Sequence, residues 1–366
     1  MDRHRRNFVI GVSGLTAAAA GGWVLRDLDG DVDVKEPTPP RESRGPSDRE
    51  RPSVADHGVV GDGVADDTDA IEAAIAVALG ETGSLRGGRI VFPTGVYRIT
   101  RTVVIEQAAA VVEGVNGGSV LAWDGPPGEP ILRLDYCQGT SISGLRFVGK
   151  ATSRPSAAVS IRTLEPHPNG SNFNTLSSIR IGDTGSPAHQ FDTGILMEGD
   201  DVGAVNNRFE MISIASCVTG VRITRPSYVR NAFMGLKIGR CDVGFESNAG
   251  MSNSGANWVF DASAATDIAL GPGSRLRVKG FVSRQSARLA RTESSSLMIR
   301  DGSWEMGPRM ASDGVVIAGR NGSGRSFLRL EDFDFTDNGA TVPPRIAWQP
   351  ASQVFLGNFA GPPNTP

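Results

Sequence analysis

The stretch Gly61–Thr100, GDGVADDTDAIEAAIAVALGETGSLRGGRIVFPTGVYRIT, decides the fold. Asp62-Gly63 reads as a turn, because glycine supplies the positive φ that such turns need. Asp66, Asp67 and Thr68 offer side-chain oxygens to the unpaired amides of a starting helix. Ile71, Ile75 and Leu79 recur every fourth residue, with Ala74 and Ala78 between them, and make one narrow apolar stripe. Gly80 and Gly83 stop the helix. After Gly87-Gly88, the runs Ile90-Val91-Phe92 and Val96–Ile99 flank a Pro93-Thr94-Gly95 turn, a strand–turn–strand pattern.

The combination resembles the N-terminal signature of the pectate-lyase-like superfamily, with its rhamnogalacturonase- and epimerase-like members. The matching elements are Gly61–Gly63, Asp66–Thr68, Ala70-Ile71 and the Phe-Pro-x-Gly-x-Tyr run Phe92–Tyr97. The resemblance implies an all-β fold, a right-handed parallel β-helix whose first coil is covered by the helix just described. It makes the signature a fold marker, so Asp66 and Asp67 read as caps and not as catalytic carboxylates.

Upstream, Arg5-Arg6-Asn7-Phe8-Val9 resembles a twin-arginine export signal, followed by a weakly apolar run, Ile10–Val24, and small residues at Ala17–Ala20 for a peptidase. The competing reading of Phe8–Leu25 is an uncleaved membrane anchor at the lower length limit for spanning. Residues 26–52 are dominated by Asp, Arg, Glu, Pro and Ser and read as a disordered linker. The expected organisation is a signal or anchor over 1–25, this linker, a solenoid over 53–360 and a tail over 361–366. The expected location is extracellular or in the cell envelope, reached by a twin-arginine-type route, with membrane contact only through an uncleaved signal.

Downstream, Asn207, Phe209, Ile214, Cys217 and Gly220 match Asn231, Phe233, Ile238, Cys241 and Gly244 at a constant offset. A period of about 24 residues signals a solenoid, in which each unit buries its apolar face against the next. Looser copies start at Asn174, at Gln138-Gly139 and across Asn257–Leu270, with strand-like runs near Leu276, Leu297, Val315, Leu328 and Val354. Alternation after the anchoring glycines predicts Ile195, Val221, Phe245, Met197 and Ile223 inside, and Leu196, Arg222, Glu246, Glu198, Thr224 and Asn248 outside. Glycine is abundant (46 residues) and aromatics sparse (6%), which suits short strands and tight turns. The formal net charge of −3 points away from nucleic acid. Three cysteines build no disulfide framework, and Cys217 and Cys241 should be stacked, buried thiols on neighbouring coils.

The resemblance implies work on a polysaccharide laid along the outside of the coils. The polygalacturonase-like set of carboxylates, Gly-His-Gly and Arg-Ile-Lys is absent as a set, with faint echoes at Phe191–Ile195 and Gly199–Val202. His57, His167 and His189 are isolated and read as ordinary loop residues. The repeat register instead lines up Asp192 and Asp242, two coils apart at about 9–10 Å, with Arg222 and Glu246 beside them. That spacing suits an inverting carboxylate pair, while Asp before Gly also simply makes a turn. Glu198, Asp200 and Asp201 form an acidic turn that would suit Ca²⁺ or stay a solvated loop; no other cofactor is implied. Arg225, Tyr228 and Arg230 could grip a sugar acid or form a surface salt-bridge network. Trp123, Trp258, Trp304, Trp348 and Tyr228 are the few candidate stacking platforms for sugar rings. Two function classes stay open: a glycoside hydrolase or polysaccharide lyase, and a non-catalytic glycan-binding or adhesion module.

Overall fold

The computed structural model describes residues 53–80, 86–163, 170–183, 185, 188–199, 203–225, 227–248, 252–306, 316–318, 326–337, 346–348 and 352–360. The described residues belong to one unit, Asp48–Pro366, and the export-signal reading falls on residues outside them. They build a right-handed parallel β-helix in which every strand pairs in parallel with its counterpart on the next coil.

Three strand ribbons run along the column. The first passes through Arg86–Phe92, Ala108–Gly114, Ser141–Ser143, Thr175–Ser177, Arg208–Glu210 and Ala232–Met234. The second passes through Gly95–Ile99, Ser119–Trp123, Leu145–Val148, Arg180–Ile181, Ser213–Ala215 and Lys237–Gly239. These two fuse at Ser252–Asp261, which pairs with both Ala232–Met234 and Lys237–Gly239. The third runs from Val103–Glu106 through Phe191–Gly199, Cys217–Ile223 and Val243–Ser247 to Ile346–Trp348. The chain bends between the first two ribbons at left-handed residues, Ser178, Met211, Gly235 and Asn257 among them, each placed on successive coils.

The helix forms over Thr68–Leu79 and buries Ile71, Ala74, Ile75 and Leu79 in the core, as the apolar stripe predicts. Its capping differs in detail. Asp66 accepts from the Thr68 amide at 3.1 Å, but Asp67 turns back to the amides of Val60 at 2.7 Å and Gly61 at 3.1 Å. The Thr68 hydroxyl accepts from the Thr100 amide at 2.9 Å. The signature therefore ties the helix to the turn before it and the strand after it. Gly88 is required by close approach: a Cβ there would lie 2.0 Å from the Ala78 carbonyl oxygen. Ile75→Asp would bury a charge with no partner and is expected to cost at least about 3 kcal/mol, read as a lowered denaturation midpoint.

Inside, the repeat gives a column of asparagines. The Asn174, Asn207, Asn231 and Asn253 carboxamide oxygens accept, in order, from the amides of Thr140, Asn174, Asn207 and Asn231 at 2.8–2.9 Å. The copy expected at Asn257 is thereby shifted, because Asn253 pairs with Asn231 and Asn257 occupies the bend with φ 56°. Aromatic rings stack along the same axis, Phe209 on Phe233 at 4.5 Å between centroids.

The register of the third ribbon matches the expected one, Ile195 against Val221 against Phe245, all fully buried with Met197 and Ile223. Leu196 departs from it: its outward position is only 8% exposed, so it is shielded on the outer face. Cys137, Cys217 and Cys241 are buried free thiols. Burial pushes Cys137 up to about 11 and Cys217 well above the usual thiol range, with Cys241 as its neighbour. Denatured protein prepared without reductant should titrate three thiols per chain; a count of one would mean a bond between two of them. Among the described residues no helix is long and apolar enough to cross a membrane.

Candidate functional site

The bend between the second and third ribbons carries a groove of about 510 Å³. Two features of the sequence create it. Ser216, Arg240, Ala262 and Gln285 sit at successive left-handed corner positions, so their side chains leave the wall at one edge. Just after this corner the third ribbon begins, and Asp242 precedes it by one residue. His189 reaches the same edge from the loop before Phe191, with Nε2 3.5 Å from Asp242 Oδ1. Asp261 ends the neighbouring strand, accepts from the Arg240 amide at 2.9 Å through its carbonyl, and adds a second carboxylate to the lining. Arg240 and Asp261 are both exposed. A histidine, two carboxylates and a guanidinium thus face one open, polar trough.

The residues selected from sequence divide between this groove and its surroundings. Asp192 and Asp242 do fall on one line, either side of Val218, by the pairings Phe191–Cys217, Thr193–Thr219 and Thr219–Val243. They have different partners: Asp192 binds Arg154 at 2.6 Å, whereas Asp242 faces His189. Arg222 and Glu246 register with one another outside the third ribbon and form an ion pair at 2.7 Å, and the Arg222 guanidinium also donates to Thr219 at 2.8 Å. Glu246 lines a separate hollow of about 250 Å³ with Arg288, Arg291 and Glu293.

Tyr228 does not reach the surface. It is fully buried, its hydroxyl donates to the Glu198 carbonyl, and Thr163 Oγ1 lies 2.8 Å away. Its ring lies in the core and is no platform for a sugar. Arg225 donates to the Gly199 carbonyl, and Arg230 is exposed at a left-handed corner. Glu198 accepts from the Ser160 hydroxyl at 2.9 Å, while Asp200 and Asp201 lie outside the described residues. Among the described residues no three His, Cys, Asp or Glu side chains gather around one point. Trp123, Trp258 and Trp304 are buried, Trp258 donating to the Phe233 carbonyl at 2.8 Å, and the Trp348 side chain lies outside the described residues.

His189, Arg240 and Asp261 were not legible as a set. The available signal was the offset of Ser216 and Arg240, which precede Cys217 and Cys241 and so share a corner. His189 sits in the loop that lengthens its own repeat, where no period assigns it a neighbour.

Residues 52–121 match a family model described as rhamnogalacturonase A/epimerase, pectate lyase-like. The chain is a distant relative of pectate-lyase-like β-helix proteins. Among solved structures it is similar to ORF18 of Geobacillus virus E2, at 15% identity and TM-score 0.54 over 85% of this chain and 62% of that one. This chain therefore spans less than two thirds of the viral protein's length. It is also similar to an endo-xylogalacturonan hydrolase from Aspergillus tubingensis, at 13% identity and TM-score 0.54 over 82% of this chain and 90% of that one. A third similarity is to the gp42 tailspike of Acinetobacter phage vb_AbaP_AS12, at 11% identity and TM-score 0.56 over 84% and 60% of the two chains. No curated protein is similar to the chain in sequence. At these identities the likeness is one of fold.

Proposed function

We propose that this protein cleaves polysaccharide, with the His189–Arg240–Asp242–Asp261 groove as its working site. The observation that carries the proposal is the His189–Asp242 pair in an open polar trough on the outside of the coils. Asp242 orients the imidazole, so that His189 can take a proton from a bound sugar. Arg240 stands where it can pair with a uronate carboxylate, which makes the carbon-bound proton beside that carboxylate easier to remove. Elimination then breaks the bond to the glycosidic oxygen, which leaves with a proton drawn from solvent, and a double bond forms in the sugar. In the hydrolytic alternative, Asp242 and Asp261 act as the acid and base of a carboxylate pair and water adds across the glycosidic bond.

The family-model match over residues 52–121 and the fold shared with the xylogalacturonan hydrolase support a glycan as substrate. Burial of Trp123, Trp258, Trp304 and Tyr228 weighs against a module that holds sugars by stacking alone. Residues 1–25 would export the domain by the twin-arginine route and 26–52 would space it from the envelope, which places the activity outside the cytoplasm. The domain itself would extend over 53–360.

A panel of polysaccharides incubated with the purified domain tests the proposal, read by reducing ends and by unsaturated-uronate absorbance. Both signals together indicate elimination, reducing ends alone indicate hydrolysis, and silence on every substrate favours the binding module. An EDTA arm asks whether the acidic turn at Glu198, Asp200 and Asp201 contributes calcium.

A further inference from the structure

The outer surface of the first ribbon changes character in the last coils. On the strand Arg275–Arg284, Arg275, Arg277 and Lys279 alternate with buried Leu276 and Val278, so three cations project from one edge. Successive charges stand about 6.6 Å apart, two residues of strand rise. Lys279 registers with Arg300, then Glu331, then Gly357; Arg277 registers with Met298, then Arg329, then Phe355.

Elsewhere several outward arginines have an acid of their own, as in Arg89–Glu113, Arg222–Glu246 and Arg291–Glu293. Here a single Glu331 serves both Arg300 and Arg329, and Lys279 stands 3.9 Å from Asp301. Arg275 and Arg277 have no acidic partner among the described residues. Beside them a cleft of about 530 Å³ is lined by Lys279, Arg300, Asp301, Glu331, Asp332 and Phe355. Phe355 is 49% exposed, and the Arg329 guanidinium lies 4.7 Å from its ring centroid, which holds the ring in place.

We infer that this cationic strip, with the exposed Phe355 ring beside it, anchors an anionic polysaccharide, an inference that rests on the polysaccharide-cleaving reading above. Unpaired cations in a chain of net charge −3 make a local attraction for polyanions that the molecule as a whole lacks. An exposed aromatic ring beside them offers an apolar face to a sugar ring. The same strand leads from the strip to the groove. The strand that carries Lys279 bends at Gly280, φ 70°, and ends against Gln285 in the groove lining, at most about 20 Å of backbone away. A polymer can occupy both places at once and gains from the raised effective concentration of its second segment. A trisaccharide cannot.

The test uses His189→Ala protein, so that the polymer is bound and not consumed, with and without the triple change Arg275→Glu, Arg277→Glu and Lys279→Glu. These side chains are exposed, and melting curves check that the fold is kept. Affinity for polygalacturonate and for alginate is measured at low ionic strength, beside fully methyl-esterified polygalacturonate and duplex DNA. At least a tenfold loss of polyanion affinity on charge reversal is expected, with Phe355→Ala weakening binding about threefold or more. In proteins that keep His189, the ratio of kcat/KM on polymer to that on a trisaccharide should fall at least tenfold on charge reversal. Unchanged affinity, equal binding of the esterified polymer, absence of binding to both polyanions, or tighter binding to DNA would each overturn the inference. Strip-dependent binding by a protein that cleaves nothing in the panel would uphold the anchor while removing the proposed cleavage.

Discussion

Asn231→Leu is expected to destabilise the β-helix by about 2–6 kcal/mol although it changes no charge and keeps the number and branching of side-chain heavy atoms. In the native column Asn231 Oδ1 accepts from the Asn207 amide at 2.9 Å and from Asn207 Nδ2 at 3.0 Å. Its own Nδ2 donates to the Ala204 carbonyl at 3.0 Å. Leucine would leave the Asn207 amide and the Ala204 carbonyl in a wall where Asn207, Ala204 and Asn231 itself are fully buried. Each buried group without a partner costs about 1–3 kcal/mol, and the two sum to the range given. The ladder continues through Asn253, so the loss falls in the middle of a cooperative stack and not at a fraying end. Urea unfolding of the two proteins side by side measures it. A difference below about 0.5 kcal/mol would mean that the ladder groups find other partners.

Asp267→Asn should stabilise the protein, and by an amount that grows with pH. The anchoring glycines of the third ribbon exist because a Cβ would collide: at Gly220 with Gly244 O at 2.5 Å and Ile238 at 2.8 Å, at Gly244 with the Phe260 ring at 2.2 Å. One coil later the register puts Asp267 in the glycine position and Ser283 in the place of Phe260. A small side chain and a large one have exchanged sides, and the exchange brings a carboxyl into the core. Asp267 is fully buried, with the Ser283 hydroxyl donating to Oδ2 and Ser263 and Ser286 beside it. Burial pushes it up to about 7, the hydroxyls pull it down, and the nearby Asp261 charge adds to the rise. Its folded-state value thus lies above the unfolded one. The folded chain holds a proton that the unfolded chain has lost, so stability is greatest below pH 4 and falls as pH rises toward 7. Integrated over that window the loss is about 4 kcal/mol. Asparagine cannot ionise. The variant's melting temperature should therefore meet that of the wild type near pH 4 and exceed it increasingly up to pH 7. A constant difference across pH would show that the carboxyl does not titrate in this range.

The fold was readable because its determinants are periodic. The capped helix and Phe92–Tyr97 mark the first coil, and the matches of Asn207 to Asn231 and Gly220 to Gly244 fix the register. The copy at Asn257 was misread because its ladder asparagine comes four residues earlier and the strand runs unbroken through the bend. The Asp267–Ser283 exchange hides for the same reason: a glycine column that changes residue type looks like the end of a repeat. Tyr228 shows a different limit. A tyrosine beside arginines looks like a surface grip, and only the bonds of its hydroxyl to the Glu198 carbonyl and to Thr163 show that it closes the wall. The groove was least legible, since it joins a corner residue, a strand end and a loop histidine from three coils.

In the proposed reaction catalysis runs through His189 and Asp242, and turnover of three single variants is the test. The comparison is made on whichever panel substrate the wild type cleaves, with melting curves taken on the same samples. His189→Ala and Asp242→Asn should each lower kcat at least about a hundredfold with little change in melting temperature, the scale of a lost general acid–base group. Asp192→Asn separates this account from a reaction run by the aligned carboxylates, because Asp192 is bound to Arg154 outside the groove lining. That variant should keep a kcat within about threefold of wild type. Full activity in His189→Ala, or an equal collapse in Asp192→Asn and Asp242→Asn, would contradict it.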